Sequence, residues 1–353
     1  MKSALKPKLI LQLRPISAEA SVNLAGLVTK RSIRHIAVAG FAVAALFVAT
    51  PIAAQQMIDR DRCINADNTS APDAVIEACA TLIEAYARGQ IEPSDAATAY
   101  VGRGNAYAVM NERNLATADY NRAIAIYDRA IELASNDADI YLGRGNVSFL
   151  KRDYDRAISD YDKVLAIAPI SVDAFLGRGR SFYQKKDYDR AIANYDRALG
   201  LDPNHTEALA ERGDAHERSG RFERAVEDYG RLIVLQPANP KAWNNRCWDR
   251  ALTGQLEGAL ADCNEALRLA PDDSEAIDSR GFTYLKLGQF DRAIADYDAA
   301  LTRSPRQAGS LYGRGIAKLR SGDGAGGRAD IAAARAIDPD IVEIYIHHYK
   351  VKE

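Results

Sequence analysis

The four cysteines are the residues whose type and spacing could do chemistry. Cys247 and Cys263 are sixteen residues apart, and so are Cys63 and Cys79. Beside Trp248, Cys247 could act as a nucleophile, and a pair of cysteines could also bind a metal ion or form a disulfide. Which of these holds depends on the elements that position the two members of each pair.

The other candidates for catalysis and metal binding do not form a site. The five histidines are spread over the chain, and the adjacent His347 and His348 point to different sides of a predicted helix. No glutamate stands at a helical spacing that would complete a zinc site, and no Ser-His-Asp set stands out. The sequence therefore predicts a chain that is not an enzyme and that has no bound metal and no cofactor.

The motif Gly-Arg-Gly recurs in the first half of the chain, at Gly102–Gly104, Gly143–Gly145 and Gly177–Gly179. A phosphate-binding loop has a third glycine three residues further on and follows a strand. Here Tyr107 and its counterparts replace that glycine, and the surrounding sequence is helical in pattern. The motif is therefore not interpreted as a nucleotide site.

A 34-residue period runs through the chain. The second glycine of the motif defines a column of residues 145, 179, 213, 281 and 315, with Cys247 in the place of the missing member. Alanine stands twelve residues after the column except for Gly327 in the last unit, and tyrosine sixteen residues after it except for Cys263 and Ile331. Proline stands 24 residues after the column in all six units. Small residues allow two helices to cross closely, and proline ends each unit because it cannot continue a helix. With two apolar-periodic runs in each unit, the pattern predicts a series of helical hairpins.

This pattern resembles the tetratricopeptide repeat family over residues 97–341. The resemblance implies an all-α fold, a right-handed superhelical solenoid of antiparallel helix pairs with a concave groove. We expect seven repeats in 97–341, the first with a seven-residue insertion within Tyr120–Leu133 and the last degenerate. A partial helical hairpin is expected before them at 55–96, and a C-terminal capping helix after them at 342–353.

The repeat columns favour one pairing of the cysteines. Cys247 replaces the glycine column and Cys263 the tyrosine column of one repeat, and Cys63 and Cys79 can be aligned with them. Because these two columns meet across a hairpin, we predict the disulfides Cys63–Cys79 and Cys247–Cys263. Closing a loop of this length contributes about 3 kcal/mol in the chain-entropy model. Free buried thiols are one alternative, and redox or metal chemistry is another.

Arginine precedes the glycine column in every repeat, and an acid follows sixteen residues later in all but one of them. One hypothesis is a cationic ladder that binds a polyanionic ligand. The other is a set of structural pairs that bridge the two helices of a hairpin, and the matched spacing favours it. The pairs include Arg144–Asp160, Arg212–Asp228, Arg246–Asp262 and Arg280–Asp296.

The family resemblance also implies which residues line the groove, namely those one and four positions after the glycine column. They include Asn146, Phe149, Arg180, Tyr183, Asp214, Glu217, Trp248, Phe282 and Leu285. An exposed Trp248 and Phe282 would anchor a partner, whereas in the alternative the C-terminal helix covers this apolar end.

The function that the resemblance implies is a non-catalytic scaffold that binds a protein or a peptide. A carrier for a small or polymeric ligand, such as a glycan, is the first alternative. An accessory subunit of an envelope enzyme complex is the second. The groove side chains vary freely on one scaffold, so they do not identify the partner.

The N-terminal residues predict export. A cationic stretch at Lys30–Arg34, an apolar run at Ile36–Ala49 and small residues up to Ala54 are typical of a signal peptide. We expect residues 1–54 to be cleaved near Ala54 and the protein to be periplasmic or secreted, in a bacterial cell envelope. The alternative is an uncleaved inner-membrane anchor facing the periplasm, which would be the single membrane contact.

The charge distribution argues against nucleic acid as a partner. The whole chain has a net charge of −2, and residues 1–54 carry seven Lys and Arg and one Glu, or +6, which leaves −8 for the remainder. A folded part with that balance repels phosphate backbones.

Overall fold

The computed structural model describes residues 59–64, 70–349 and 351. The predicted export segment, 1–54, lies outside them. All regular secondary structure in the described part of the chain is helical, and consecutive helices within each of its two compact units pack against one another, so the predicted all-α fold of tandem helix pairs is confirmed. Within these residues no helix is both long and apolar enough to span a bilayer.

The helices belong to two compact units. The N-terminal unit extends to Lys185. It contains a helical segment at 59–64 and the helices Pro72–Ala87, Pro93–Val109, Arg113–Leu133, Ala138–Leu150, Tyr154–Ile167 and Val172–Gln184.

The C-terminal unit begins at Lys186. Its helices are Tyr188–Leu201, Thr206–Arg218, Phe222–Leu235, Pro240–Thr253, Leu256–Leu269, Ser274–Lys286, Phe290–Arg303, Ala308–Ser321 and Gly324–Ile337. We number the repeats 1 to 7 by the sequence period, beginning with Pro93–Val109. Repeat 3 has its first helix, Val172–Gln184, in the N-terminal unit and its second helix, Tyr188–Leu201, in the C-terminal unit. In each repeat we call the two members the first and the second helix.

The turn between the first and second helix of a repeat has its own 34-residue column. One residue there adopts a left-handed backbone conformation, and it is Gly220, Gly254, Gly288 and Gly322 in repeats 4 to 7. Asn111, Arg152 and Lys186 occupy the position in repeats 1 to 3, with φ between 62° and 66°. Glycine adopts this conformation without a steric penalty, so these four repeats turn with less strain than the first three.

Tyrosine side chains explain the Gly-Arg-Gly motif. A methyl group on Gly145 would lie 3.0 Å from the Tyr161 ring, and one on Gly177, in the next repeat, would lie 2.4 Å from it. Tyr161 on the second helix of repeat 2 therefore fills the space against the glycine column of its own repeat and against the first glycine of the following motif. Tyr297 packs in the same way against Gly281 and Gly313.

The second helix of repeat 1 is longer than its counterparts, with 21 residues against 14 in repeat 2. It carries two tyrosines, seven residues apart. Tyr120 packs against Gly104 of the same repeat, and Tyr127 packs against Gly143 of the next one. In repeat 1 two tyrosines therefore pack against the two glycines, one each. In repeat 2 Tyr161 packs against both of its glycines.

The chain after repeat 7 is a short helix, Ile341–Glu343, followed by a π-helical turn, Ile344–His348. We call Ile341–Tyr349 the C-terminal segment. The capping helix was predicted for 342–353, so the described helical part is shorter and starts one residue earlier. Ile341, Ile344 and Tyr345 are buried against the C-terminal unit.

Candidate functional site

The four cysteines form two disulfides. Cys63 is bonded to Cys79 and Cys247 to Cys263, with sulfur–sulfur distances of 2.09 and 1.93 Å. All four are buried, and Gly102 packs against the first disulfide as other motif glycines pack against tyrosine. These are the pairs that the repeat columns favour, and with its thiol consumed Cys247 is not a nucleophile. Among the described residues, no three His, Cys, Asp or Glu side chains are arranged to hold a metal ion.

The arginine column forms bidentate ion pairs. Arg144 donates from Nε and Nη2 to both carboxylate oxygens of Asp160, at 3.0 and 2.6 Å. Its Nη1 donates to Asp128 of repeat 1 at 2.8 Å. The hydrogen bond to Asp160 raises the pKa of Arg144. Equivalent bidentate pairs are Arg103–Asp119, Arg212–Asp228, Arg246–Asp262, Arg280–Asp296 and Arg314–Asp330.

This geometry supports the structural hypothesis for the arginines. The partner aspartates are buried, and Asp160 is 2% exposed. Arg144 donates hydrogen bonds to two carboxylates, one in its own repeat and one in the preceding repeat. It therefore connects three helices. A ladder that bound a polyanion would have to break these contacts first.

In the N-terminal unit, two asparagines lie directly after the glycine column. Asn105 and Asn146 each accept a hydrogen bond from the tyrosine of their own repeat, from the hydroxyls of Tyr120 and Tyr161, at 2.8 Å. Because the oxygen of each carboxamide faces the tyrosine, its two N–H donors face the other way. Both asparagines are half-buried.

The remaining predicted groove residues of this unit are half-buried. Phe149 lies one turn after Asn146, and its ring centroid is 5.6 Å from that of Tyr154. Arg180 and Tyr183 lie on the helix Val172–Gln184. They follow the glycine column of repeat 3 by one and four positions, as Asn146 and Phe149 do in repeat 2.

In the C-terminal unit, Asp214 holds the position of the asparagines in repeat 4. It accepts a hydrogen bond from the hydroxyl of Tyr229 at 2.5 Å. Burial raises the pKa of Asp214, and the bond from Tyr229 opposes that shift. Glu217, three residues further on, is half-buried. A carboxylate is therefore accommodated at this position by the same tyrosine contact as an amide.

The predicted apolar anchors are not exposed, and this part of the prediction is corrected. Trp248, Phe282 and Leu285 are 5%, 1% and 5% exposed. The ring of Tyr349 lies 5.1 Å from Trp248 and 5.5 Å from Phe282. The alternative, coverage by the end of the chain, describes the structure. Burial of these rings removes a large apolar area from water, and this stabilises the covered arrangement.

Two residues that contribute here were missed in the sequence. Tyr349 stands four residues after Tyr345, beyond the last proline of the repeat column, and this spacing was the available signal. Lys286 Nζ lies 5.5 Å from the Phe282 ring centroid and donates to the carbonyl oxygens of Ala251 and Tyr349. Lys286 and Tyr349 are 63 residues apart in the sequence, so the sequence does not reveal their contact.

Similar solved structures include tetratricopeptide repeat proteins. The chain is similar to a tetratricopeptide repeat protein from Parabacteroides merdae ATCC 43184, with 16% identity, 72% of this chain and 99% of that chain covered, and a TM-score of 0.53. It is also similar to the APC/C hetero-tetramer Cut9-Hcn1, with 17% identity, coverage of 81% and 53%, and a TM-score of 0.53. YrrB, a TPR protein with an unusual peptide-binding site, is 22% identical. The match covers 52% of this chain and 95% of YrrB, with a TM-score of 0.48. No curated protein matches the chain.

The family model described as tetratricopeptide repeat matches most of the chain. The matched residues are 113–171, 152–206, 176–242, 210–274 and 280–340. They include the glycine, tyrosine and proline columns of repeats 2 to 7. The chain belongs to the tetratricopeptide repeat family.

Proposed function

We propose that this tetratricopeptide repeat chain is a non-catalytic scaffold that binds a protein or peptide partner on the first helices of its N-terminal unit. The observation that carries the proposal is the pair Asn105 and Asn146. Each carboxamide is oriented by a tyrosine hydroxyl, and the two stand at equivalent positions of consecutive repeats.

Two oriented amides suit the main chain of a peptide. Carboxamide N–H groups donate to peptide carbonyls, which recur regularly along an extended or helical ligand. Phe149 adds aromatic surface one turn away from Asn146. Donors in a regular array with apolar surface beside them favour a polypeptide over a compact small molecule, which needs an enclosed pocket.

The side chains that could take part in a reaction are engaged in structural bonds. The cysteines are joined in disulfides, and the arginine column holds buried carboxylates. Scaffolds of this family are generally non-catalytic, and we extend that role to this chain.

We propose the bacterial cell envelope as the location. The N-terminal sequence is typical of an export signal, and two disulfides suit an oxidising compartment. Cell fractionation with thiol labelling tests this: the expected result is an envelope protein with no reactive thiol before reduction. Four reactive thiols, or a cytoplasmic location, contradict the proposal.

Affinity capture from the envelope fraction tests the binding function. The variant Asn105→Asp/Asn146→Asp keeps an acceptor for each tyrosine, as Asp214 does in repeat 4, but removes the N–H donors. We expect it to lose a protein that the wild-type chain retains. The control Asn114→Asp/Asn121→Asp makes the same charge change on the exposed side of repeat 1 and should retain it.

Two results would count against the scaffold. If the Asn105→Asp/Asn146→Asp variant retains every partner of the wild type, these asparagines are not the binding surface. If the wild-type chain retains no protein but binds a small or polymeric ligand such as a glycan, the carrier alternative replaces the scaffold.

A further inference from the structure

The C-terminal segment lies against three consecutive repeats of its unit. The ring centroid of Tyr349 is 5.1 Å from that of Trp248 in repeat 5 and 5.5 Å from that of Phe282 in repeat 6. The ring centroid of Tyr345 is 4.6 Å from that of Tyr312 in repeat 7. The segment therefore runs back along the unit from the end of the chain.

A cap does not require this reach. A terminal cap covers the exposed side of the last repeat, and Trp248 is two repeats away from it. Trp248 and Phe282 directly follow the glycine column, the position that Asn105 and Asn146 hold in the N-terminal unit. Within its own unit, the segment thus occupies the positions at which a bound peptide is expected.

Two polar contacts hold the segment in addition to the aromatic ones. Lys286 Nζ lies 3.5 Å from the carbonyl oxygen of Tyr349 and donates to it, and it also donates to Ala251 at 2.8 Å. The hydroxyl of Tyr345 donates to the carbonyl oxygen of Gly309 at 2.8 Å. The surface therefore recognises a main-chain carbonyl and a phenol, beyond apolar area alone.

The π-helical turn sets the spacing of the two tyrosines. The N–H of Tyr349 donates to the carbonyl oxygen of Ile344 at 3.1 Å, and the rings of Tyr345 and Tyr349 are 5.0 Å apart. Side chains four residues apart share one face of a helical turn. Both rings thus point to the same surface of the C-terminal unit.

The segment does not fill the space beside it. A cavity of 990 Å³ is lined by Trp248, Asp278, Ile344, Tyr345 and Tyr349, among others. It gives a second polypeptide room to approach Trp248 beside the two tyrosines of the segment.

We propose that this surface is a docking site for a short helical turn with two tyrosines four residues apart, and that the C-terminal segment is its cis ligand. A partner segment of the same chemistry competes with it. The inference rests on the proposed binding function. A tethered segment acts at an effective concentration in the millimolar range, so the closed chain binds a free competitor more weakly than an open chain does.

A labelled peptide with the sequence of residues 340–353 tests the docking site. Its binding to the full-length chain is measured by fluorescence anisotropy, for the wild type and for Tyr345→Ala/Tyr349→Ala. We expect the variant to bind the peptide at least tenfold more tightly, because its own segment no longer competes. Adding Lys286→Met to the variant should weaken binding severalfold, since it removes the ammonium that binds the carbonyl.

The control is the same peptide with alanine in place of both tyrosines, which should bind neither chain. A variant that keeps the wild-type helical circular dichroism but binds the tyrosine peptide no more tightly than the wild type overturns the proposal. Equal binding of the two peptides also overturns it.

If Tyr345→Ala/Tyr349→Ala does not fold, hydrogen exchange of the wild-type chain tests the proposal instead. Millimolar tyrosine peptide should accelerate hydrogen exchange of the amides at 344–349, and the alanine peptide should not; unchanged exchange overturns the proposal. The capture experiment with Asn105→Asp/Asn146→Asp concerns the other unit. The docking site and the proposed scaffold function can therefore fail separately.

Discussion

The packing of Tyr161 against two glycines predicts a large effect for one added methyl group. In Gly177→Ala the new carbon would lie 2.4 Å from Tyr161, more than 1 Å inside the usual contact distance of about 3.5–4.0 Å. Overpacking of this kind costs about 3 kcal/mol at its upper end. Alanine recovers about 1 kcal/mol because glycine is the poorer helix former. We expect a net loss of about 2 kcal/mol in the free energy of unfolding.

Urea unfolding followed by circular dichroism measures this loss. With a slope of about 2 kcal/mol per molar urea, the midpoint of the transition that includes the N-terminal unit should fall by about 1 M. Gly200→Ala is the matched control. A methyl group on Gly200 meets no atom within 4 Å, and the residue is in the helix Tyr188–Leu201. The same substitution there should stabilise the chain, by up to about 1 kcal/mol.

A double-mutant cycle tests the cause. In a Tyr161→Leu background the ring is gone, so Gly177→Ala should cost at least about 1 kcal/mol less than in the wild type. The reasoning is refuted if Gly177→Ala is as stable as the wild type. It is also refuted if the cost does not depend on Tyr161, because the clash would then lie elsewhere.

Three further predictions concern the ion pairs, the disulfides and a histidine. Arg144→Ala leaves the buried Asp160 without its bidentate partner and should cost about 3 kcal/mol in urea unfolding; a loss within experimental error contradicts this. Reduction of Cys247–Cys263 should cost about 3 kcal/mol, measured by comparing unfolding with and without dithiothreitol in a chain whose other two cysteines are alanine. Burial lowers the pKa of His216, so its folded pKa is below the unfolded value of about 6.5 and stability should fall as the pH drops below that value. His216→Phe should flatten the stability between pH 7 and 5, and an unchanged slope sinks the idea.

Much of the repeat structure could be predicted because the residues that contact each other within a repeat are close in the sequence. The Arg144–Asp160 pair and the cysteine pairs each span sixteen residues, the distance between facing positions of one hairpin. A constant spacing is readable in one sequence. The first glycine of Gly-Arg-Gly was not explained in this way, because Gly177 packs against a tyrosine of the preceding repeat, and that contact crosses the period.

The sequence by itself determined the helix pairs, the ion pairs that join them and the partnership of the cysteines. Each follows from residues at most one repeat apart, whose relative position a hairpin dictates. Whether Trp248 and Phe282 are exposed or buried was decided by the tertiary structure alone. Their burial depends on Tyr349, about a hundred residues further along the chain than Trp248. No helical period relates residues so distant, so the structure had to show that the chain covers its own aromatic surface.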